Sequence, residues 1–481
     1  MKRARLLLVC ASLSLTAFAS GCEETGGAVD PDVDMGPPVD GSTAGQRQLS
    51  YTPEGCGYAV SSPRVPVASV ERHAATIGAT PAPDHIHTSF TGPTTSTFAV
   101  NWRTRGDDTR AAQVLFGTDE AAVAAADGPG ADVRAQDGHS FSYDRAGGFR
   151  IHEAHVCGLE PSTRYFYKVG GAGAWSAVFD VSTSPTVGTA EVWRFAVTGD
   201  SRNEPAIFAE TQARVQEAGV DLQVFSGDAV VLGPNQGEWD AFFEATAGGV
   251  SVQDVLARIP FMIANGNHDG LATNYLAQFA LPQQVTDGER GEGEEWYSFD
   301  YGNAHFVVLN DTSTTELINT VERAWLRADL MAVDRTVTPW VFAVHHKPMY
   351  TSATAHDPDV SLRASWQPLY DEFGVDFVFN GHNHNYERSL PIRGFASGTS
   401  EGQVQPAGVN GIPQAANGTV YVVAAGAGAP LYGVDAASTG YTVLAESTRN
   451  YVVVELEGKT MRYKASRLDG TALDVFEYTR P

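Results

Sequence analysis

A set of side chains, each just after an apolar run, offers the donors that bind divalent metal ions. In chain order they are Asp200 in Gly199-Asp200, Asp228 in Gly227-Asp228, and Asn267 and His268 in Gly266-Asn267-His268-Asp269. His346 follows in His345-His346-Lys347-Pro348, then His382 and His384 in Gly381-His382-Asn383-His384. Carboxylate, amide oxygen and imidazole are the ligands that hard and borderline cations take. Singly these motifs are weak, since a Gly-Asp pair is usually a turn and an Asn-His pair usually a loop. Their succession gives them weight. Two ions bridged by one carboxylate at about 3.5–4 Å would lower the pKa of a bound water towards about 7 and make hydroxide available for in-line attack on phosphorus. They would also neutralise charge on phosphoryl oxygens.

The elements that must position these residues are legible from periodicity. Arg194 to Thr198, Leu222 to Phe225, Pro260 to Ile263, Trp340 to Val344 and Phe377 to Phe379 read as buried strands, each running into one of the motifs. Between them, Ile207, Thr211, Val215 and Ala218 recur at helical spacing before Gly219, and Val321, Ala324, Trp325 and Ala328 mark another helix. Alternating strands and helices predict an α/β layered domain, with its ligands at the carboxyl ends of the strands. Strands return in Gly418 to Tyr478. Ahead of this region, alternation in Phe98-Ala99-Val100-Asn101-Trp102 and in Tyr165-Phe166-Tyr167-Lys168-Val169 predicts an all-β sandwich.

The five motifs in this order resemble the metallophosphoesterase (calcineurin-like) superfamily, and in particular the purple acid phosphatase branch. Trp296 to Phe306 and Gly381 to Ser389 read like that branch, and Gly158 to Tyr165 resembles the tyrosine-corner region of a fibronectin type III domain. The resemblance implies an N-terminal all-β, fibronectin type III-like sandwich at residues 83–185. An α/β metallophosphoesterase domain, a β-sandwich flanked by helices, would follow at residues 186–481. It implies Asp228 as the bridging ligand, Asp200 and His384 as further ligands of a first metal, and Asn267, His346 and His382 as ligands of a second. His268 would stabilise the transition state or protonate the leaving group, and His356 would contact substrate phosphate or the leaving oxygen. His345 reads as a packed or supporting residue. The cofactors expected are two divalent or trivalent metal ions, drawn from Fe, Zn and Mn.

Two departures stand out. The branch carries a metal-binding tyrosine three residues after the bridging aspartate, and here that position is Val231. Many relatives place a histidine or glutamine ligand two residues after the first aspartate, and here that position is Arg202. A guanidinium has no lone pair to offer a cation. Arg202 therefore reads either as a bidentate phosphate clamp or as the partner of an acid.

The rest of the sequence bounds the setting. At 481 residues, with 43% apolar residues and 49 Gly and 25 Pro, the chain is long enough for two or three domains rich in sheet and loop. Lys2, Arg3 and Arg5 ahead of an apolar run from Leu6 to Phe18 predict an export signal over residues 1–22. Ala19-Ser20-Gly21-Cys22 resembles a bacterial lipobox, with Cys22 as the lipidated residue, and Ala17-Phe18-Ala19 also fits ordinary cleavage. The protein is thus expected outside the bacterial cytoplasm, as a lipid-anchored envelope protein or as a periplasmic or secreted one. Residues 23–82 read as an acidic flexible linker and N-terminal segment. With Cys10 in the signal and Cys22 at the anchor, Cys56 and Cys157 remain to form a disulfide. A net charge of −25 argues against nucleic acid as a partner while leaving small phosphate esters open. The sequence predicts a phosphate-ester hydrolase. A nucleotidase or cyclic-nucleotide phosphodiesterase, and a non-catalytic surface binder with a degenerate hydrolase domain, stay open beside it. Oligomeric state is not legible.

Overall fold

The computed structural model describes residues 48–481 apart from positions 64, 66, 144–147, 284, 287–288, 291–292, 396–400, 409–410 and 414–416. The expected signal peptide, the lipidation candidate Cys22 and the first part of the expected linker lie outside the described residues. No helix among the described residues is long and apolar enough to cross a membrane.

The N-terminal third of the described chain is an antiparallel sandwich. One sheet runs in the order Ala68–Arg72, His139–Ser142, Phe149–Val156, Phe98–Arg105, Pro83–Ser89. The other runs Phe179–Ser182, Arg164–Gly170, Gln113–Gly117, Arg134–Asp137. The sheet includes Ala68–Arg72, which precedes the start at residue 83 expected from the sequence. That earlier segment is held by burial of Val60, Val65 and Val67 and by the Cys56–Cys157 disulfide. The backbone N–H of Glu160 donates to the Tyr165 hydroxyl at 3.0 Å, the upstream contact of a tyrosine corner. Phe98, Val100 and Trp102 are buried as their alternation predicts, but so are Ala99, Asn101 and Arg103 on the opposite face. Arg103 reaches helix Gln236–Glu244 of the following region, where its guanidinium meets Asp240 at 2.6 Å and Glu244 at 3.2 Å. A face that would be wet in an isolated sandwich is therefore an internal junction.

The remaining two thirds place two sheets face to face. One is ordered Phe261–Ile263, Leu222–Phe225, Trp193–Thr198, Asn450–Glu457, Thr460–Arg467, Ala472–Thr479, with its first three strands parallel. The other is ordered Tyr297–Tyr301, Ala304–Val308, Trp340–Val344, Phe377–Asn380, Val420–Ala424, Tyr386–Ser389, Thr442–Glu446. Its parallel core runs from Ala304–Val308 to Val420–Ala424. Phe195 of the first sheet meets Phe306, Phe342 and Phe379 of the second at ring-centroid distances of 5.2, 5.2 and 6.0 Å. These contacts make the inter-sheet core an aromatic layer. Val215 of helix Pro205–Glu217 packs with Ala196 on the outside of the first sheet. Trp325 of helix Arg323–Ala332 and Trp366 of helix Val360–Phe373 pack with Val341 and Val378 on the outside of the second. All parallel strands therefore end on one rim, and their following loops meet there.

Candidate metal centre

Each ligand-type residue sits within a few positions of the carboxyl end of a parallel strand: Asp200 after Trp193–Thr198, Asp228 after Leu222–Phe225, and Asn267 after Phe261–Ile263. His346 follows Trp340–Val344, and His382 follows Phe377–Asn380. The turns are tight. Asp200, Asp228 and His382 all adopt positive φ, at 59°, 58° and 66°, a conformation that non-glycine residues hold only under constraint. Glycine is required next to them. A Cβ on Gly266 would strike the Asp228 backbone and carboxylate, and one on Gly381 would strike the Asp200 carboxylate.

The side chains converge. One oxygen each of Asp200 and Asp228 and a ring nitrogen of His346 lie within 4.8 Å of one another. Asn267 Oδ1 is 3.0 Å from His346 Nε2 and 3.0 Å from His382 Nδ1. His346 Nε2 is 3.3 Å from Asp228 Oδ1, and His384 Nε2 is 3.4 Å from Asp200 Oδ1. The far ring nitrogens are anchored. His346 Nδ1–H donates to the Ser226 carbonyl at 2.8 Å, and His384 Nδ1–H donates to the Pro430 carbonyl at 2.6 Å. Such anchoring fixes the tautomer and turns each Nε2 lone pair inward, which is how metal-binding histidines are held. Tyr432 stacks on His384 at 4.0 Å and limits its rotation.

Electrostatics follow from the crowding. Burial opposes ionisation of Asp228, but the neighbouring His346, with help from His268 and Arg202, outweighs it and holds the carboxyl well below its usual range. Burial likewise opposes a charged His346, yet the adjacent Asp228 carboxylate raises it to about 10. A proton on His346 stands where a cation would be, because metal and proton compete for the same lone pair.

Residues named from the sequence separate in what they touch. The backbone N–H of His268 donates to Asp228 Oδ1 at 2.9 Å, and its ring Nδ1–H donates to the Val231 carbonyl at 2.7 Å. The His356 ring lies 4.4 Å from that of His382, so it borders the cluster. Arg202 is inside it, with a side chain 3% exposed and Nε 3.3 Å from Asp228 Oδ2. His345 is buried, 3.1 Å from Asp311 Oδ2 and edge-on to Trp366, behind the cluster. Asp269 was part of the fourfold motif but had no role assigned from sequence. Its carboxylate accepts the backbone N–H groups of Gly266, Asp228 and Ala229 at 2.9, 2.8 and 2.9 Å. Burial, then the charge of Asp228, push its pKa up to about 7. The signal for this role was the aspartate's place in Gly-Asn-His-Asp, but only the meeting of two loops distant in sequence shows what it holds.

Asp84, His85 and Glu244 form another group of metal-ligand type at the junction between the two halves. Its oxygens are already engaged. Arg103 grips Asp84 with Nε at 2.7 Å and Nη2 at 2.9 Å, and Arg105 also reaches Glu244. A guanidinium fork in place of a cation makes this an ion-pair cluster. A cavity of about 470 Å³ between the sandwich and Leu276, Phe279, Leu281 and Phe299 contains none of the converging ligands.

Comparison with known proteins agrees with this layout. Residues 83–183 match the purple acid phosphatase N-terminal domain, and residues 194–386 match the calcineurin-like phosphoesterase domain. Over 263 residues the chain is 30% identical to purple acid phosphatase 21 of Arabidopsis thaliana, covering 53% of this chain and 56% of that protein. It is 32% identical over 276 residues to purple acid phosphatase 23 of the same plant, covering 50% and 57% respectively. The chain thus spans little more than half the length of these two relatives. The structure of a purple acid phosphatase from yellow lupin seeds superposes with a TM-score of 0.67 at 21% identity, covering 83% of this chain and 74% of that one. That likeness is one of fold.

Proposed function

The chain carries the two-domain arrangement of the purple acid phosphatases, their N-terminal domain followed by a calcineurin-like phosphoesterase domain, and from that premise we propose that it hydrolyses phosphate esters using bound metal. The observation that carries this reading is the convergence of Asp228 Oδ1, Asn267 Oδ1, His346 Nε2 and His382 Nδ1, whose neighbouring distances are 3.0–3.3 Å. Two imidazoles, an amide oxygen and a carboxylate fit a divalent ion of the Zn, Mn or Fe type. Such an ion, when bound, supplies Lewis acidity towards a phosphoryl oxygen and acidifies a water.

The chain's own groups do the rest. The Ser226 carbonyl holds one proton of His346 on Nδ1, so Nε2 is the nitrogen that would exchange its proton for a metal ion. His268 is held in the same way by the Val231 carbonyl, so Nε2 is its free ring nitrogen, and only the imidazolium form of the ring would carry a proton there to hand to a leaving oxygen. His356, against His382, borders the place where the ester would lie. Asp200 and His384, with Asp228 as the shared carboxylate, form the donor set for a first ion of the two-metal arrangement.

Export from the cytoplasm belongs to the same proposal. The Cys56–Cys157 disulfide supports it, because such bonds persist in oxidising compartments. Anchoring through Cys22 rests on sequence alone. The test is hydrolysis of p-nitrophenyl phosphate and of its bis ester before and after chelation. Activity lost on chelation and restored by Zn, Mn or Fe is the expected result. Metal-loaded protein inert on both esters would instead favour a surface binder. Preference for nucleotides or cyclic nucleotides would narrow the substrate class.

A further inference from the structure

The six ligand-type side chains face two different environments. Around Asn267, His346 and His382 the donor atoms face one another and the Oδ1 side of Asp228. Around Asp200 and His384 they share their space with Arg202. Arg202 Nε donates to Asp228 Oδ2 at 3.3 Å, and Nη1 donates to Asn203 Oδ1 at 3.2 Å. Nη2 lies 3.2 Å from His384 Nε2. Because His384 gives its Nδ1 proton to the Pro430 carbonyl, Nε2 carries the lone pair that accepts from Arg202. That lone pair and Asp228 Oδ2 are the same two that a first metal would require. Asn203, which steadies the far side of the fork, is itself held at φ 76°.

Resting on the phosphoesterase reading above, we propose that Arg202 is a built-in competitor for the first metal position, so that the protein holds one ion tightly and admits a second only when the guanidinium gives way. The physical reason is direct. A guanidinium stays protonated and cannot turn into a ligand. A cation arriving at the first position must break hydrogen bonds to a carboxylate and an imidazole and also meet a positive charge a few ångströms away. Hydrogen bonds to charged groups are worth enough that the first position should bind roughly 10- to 100-fold more weakly than it would without Arg202. Asp228 divides accordingly. Its Oδ1 faces His346 and the second position, and its Oδ2 faces Arg202. A phosphate oxygen is a natural new partner for the displaced fork, which would couple uptake of the second ion to phosphate.

The experiment loads the full chain with Zn²⁺, dialyses it against metal-free buffer, and counts metal per chain by elemental analysis. Calorimetric titration of Zn²⁺ into the chelated protein gives the two affinities. The wild type should retain about one ion per chain, and its weaker affinity should tighten about 10- to 100-fold in Arg202→Ala. Arg202→Ala, and Arg202→Gln with its amide oxygen, should retain about two. Circular dichroism and thermal melting show whether each variant folds. If neither does, the wild-type affinities decide alone. Two equally tight ions in the wild type, or folded variants that still retain one, would overturn the proposal. A wild type that binds Zn²⁺ at neither position overturns the metal-dependent reading as well, so the two failures are told apart.

Discussion

The carboxylate of Asp269 accepts the backbone N–H of Asp228 at 2.8 Å, tying the loop that carries one proposed ligand to the loop that carries Asn267. It also accepts from Gly266 and Ala229, so a single side chain orients both turns. Asp269→Ala should leave those buried donors unpaired and misplace Asp228 relative to Asn267. Loss of such a supporting group is expected to cost about 10- to 100-fold in metal affinity or activity. Metal titration and kinetics on the variant check this, and Asp269→Asn should lose less because one acceptor oxygen remains.

Asp228 is the carboxylate shared between the two ligand groups, with one oxygen towards His346 and one towards Arg202. Asp228→Asn should abolish phosphate-ester hydrolysis and lower bound metal, while circular dichroism shows that the variant still folds. Full turnover in this variant would contradict its proposed place at the centre of the site.

Val231 stands where the purple branch carries its metal-binding tyrosine, and its backbone carbonyl is used by His268. A valine side chain supplies no phenolate. Purified, iron-loaded protein should therefore show no tyrosinate-to-iron absorption in the visible range. An intense violet band would mean that another tyrosine reaches the metal.

His305 lies between Asp300 Oδ1 at 2.7 Å and Asp329 Oδ2 at 2.8 Å. Burial opposes its charge, but Asp329 and Asp300 outweigh burial and raise its pKa to about 10. The folded value lies above the unfolded one of about 6.5. The stabilisation is thus complete below about pH 6.5 and fades as pH climbs to about 10. His305→Ala should destabilise the protein by about 3 kcal/mol at pH 6, by removing one partner of a buried pair. Urea melts at both ends of this range should show the gap between wild type and variant closing towards pH 10.

Arg103 joins the sandwich to helix Gln236–Glu244 through Asp84, Asp240 and Glu244, with its side chain 2% exposed. Arg103→Ala removes the buried cation from among three partly exposed carboxylates and leaves Arg105 on Asp84 and Glu244, so a loss of about 1–3 kcal/mol is expected. Calorimetry should then show the melt broadening or splitting as the two halves uncouple. An unchanged single transition would mean that the apolar junction suffices without the ions.

How much of this was legible in sequence differs by level. The strand runs that end at Asp200, Asp228, Asn267, His346 and His382 were readable because apolar runs that stop at a polar motif, in four of the five cases through a glycine, are local signals. So was the sandwich ahead of them, from the alternation at Phe98–Trp102 and Tyr165–Val169. The earlier strand Ala68–Arg72 was not, since short, half-exposed strands carry little hydrophobic pattern. The burial of Arg103 was equally hidden, because alternation reports one buried face and cannot say that a second surface covers the other. Asp269 was visible as a residue and silent as a support.

The sequence by itself determined which donor types the protein has, their order along the chain, and the absence of a phenolate at Val231, because these are matters of residue identity. Tertiary structure alone decided where they meet. It set Asp228 between His346 and Arg202, turned the His346 and His384 lone pairs inward through the Ser226 and Pro430 carbonyls, and put a guanidinium beside one group of ligands only. Those relations join residues 26 to 182 positions apart. Chemistry at the site depends on distances of about 3 Å, which no linear spacing encodes until parallel strands bring their carboxyl ends to one rim.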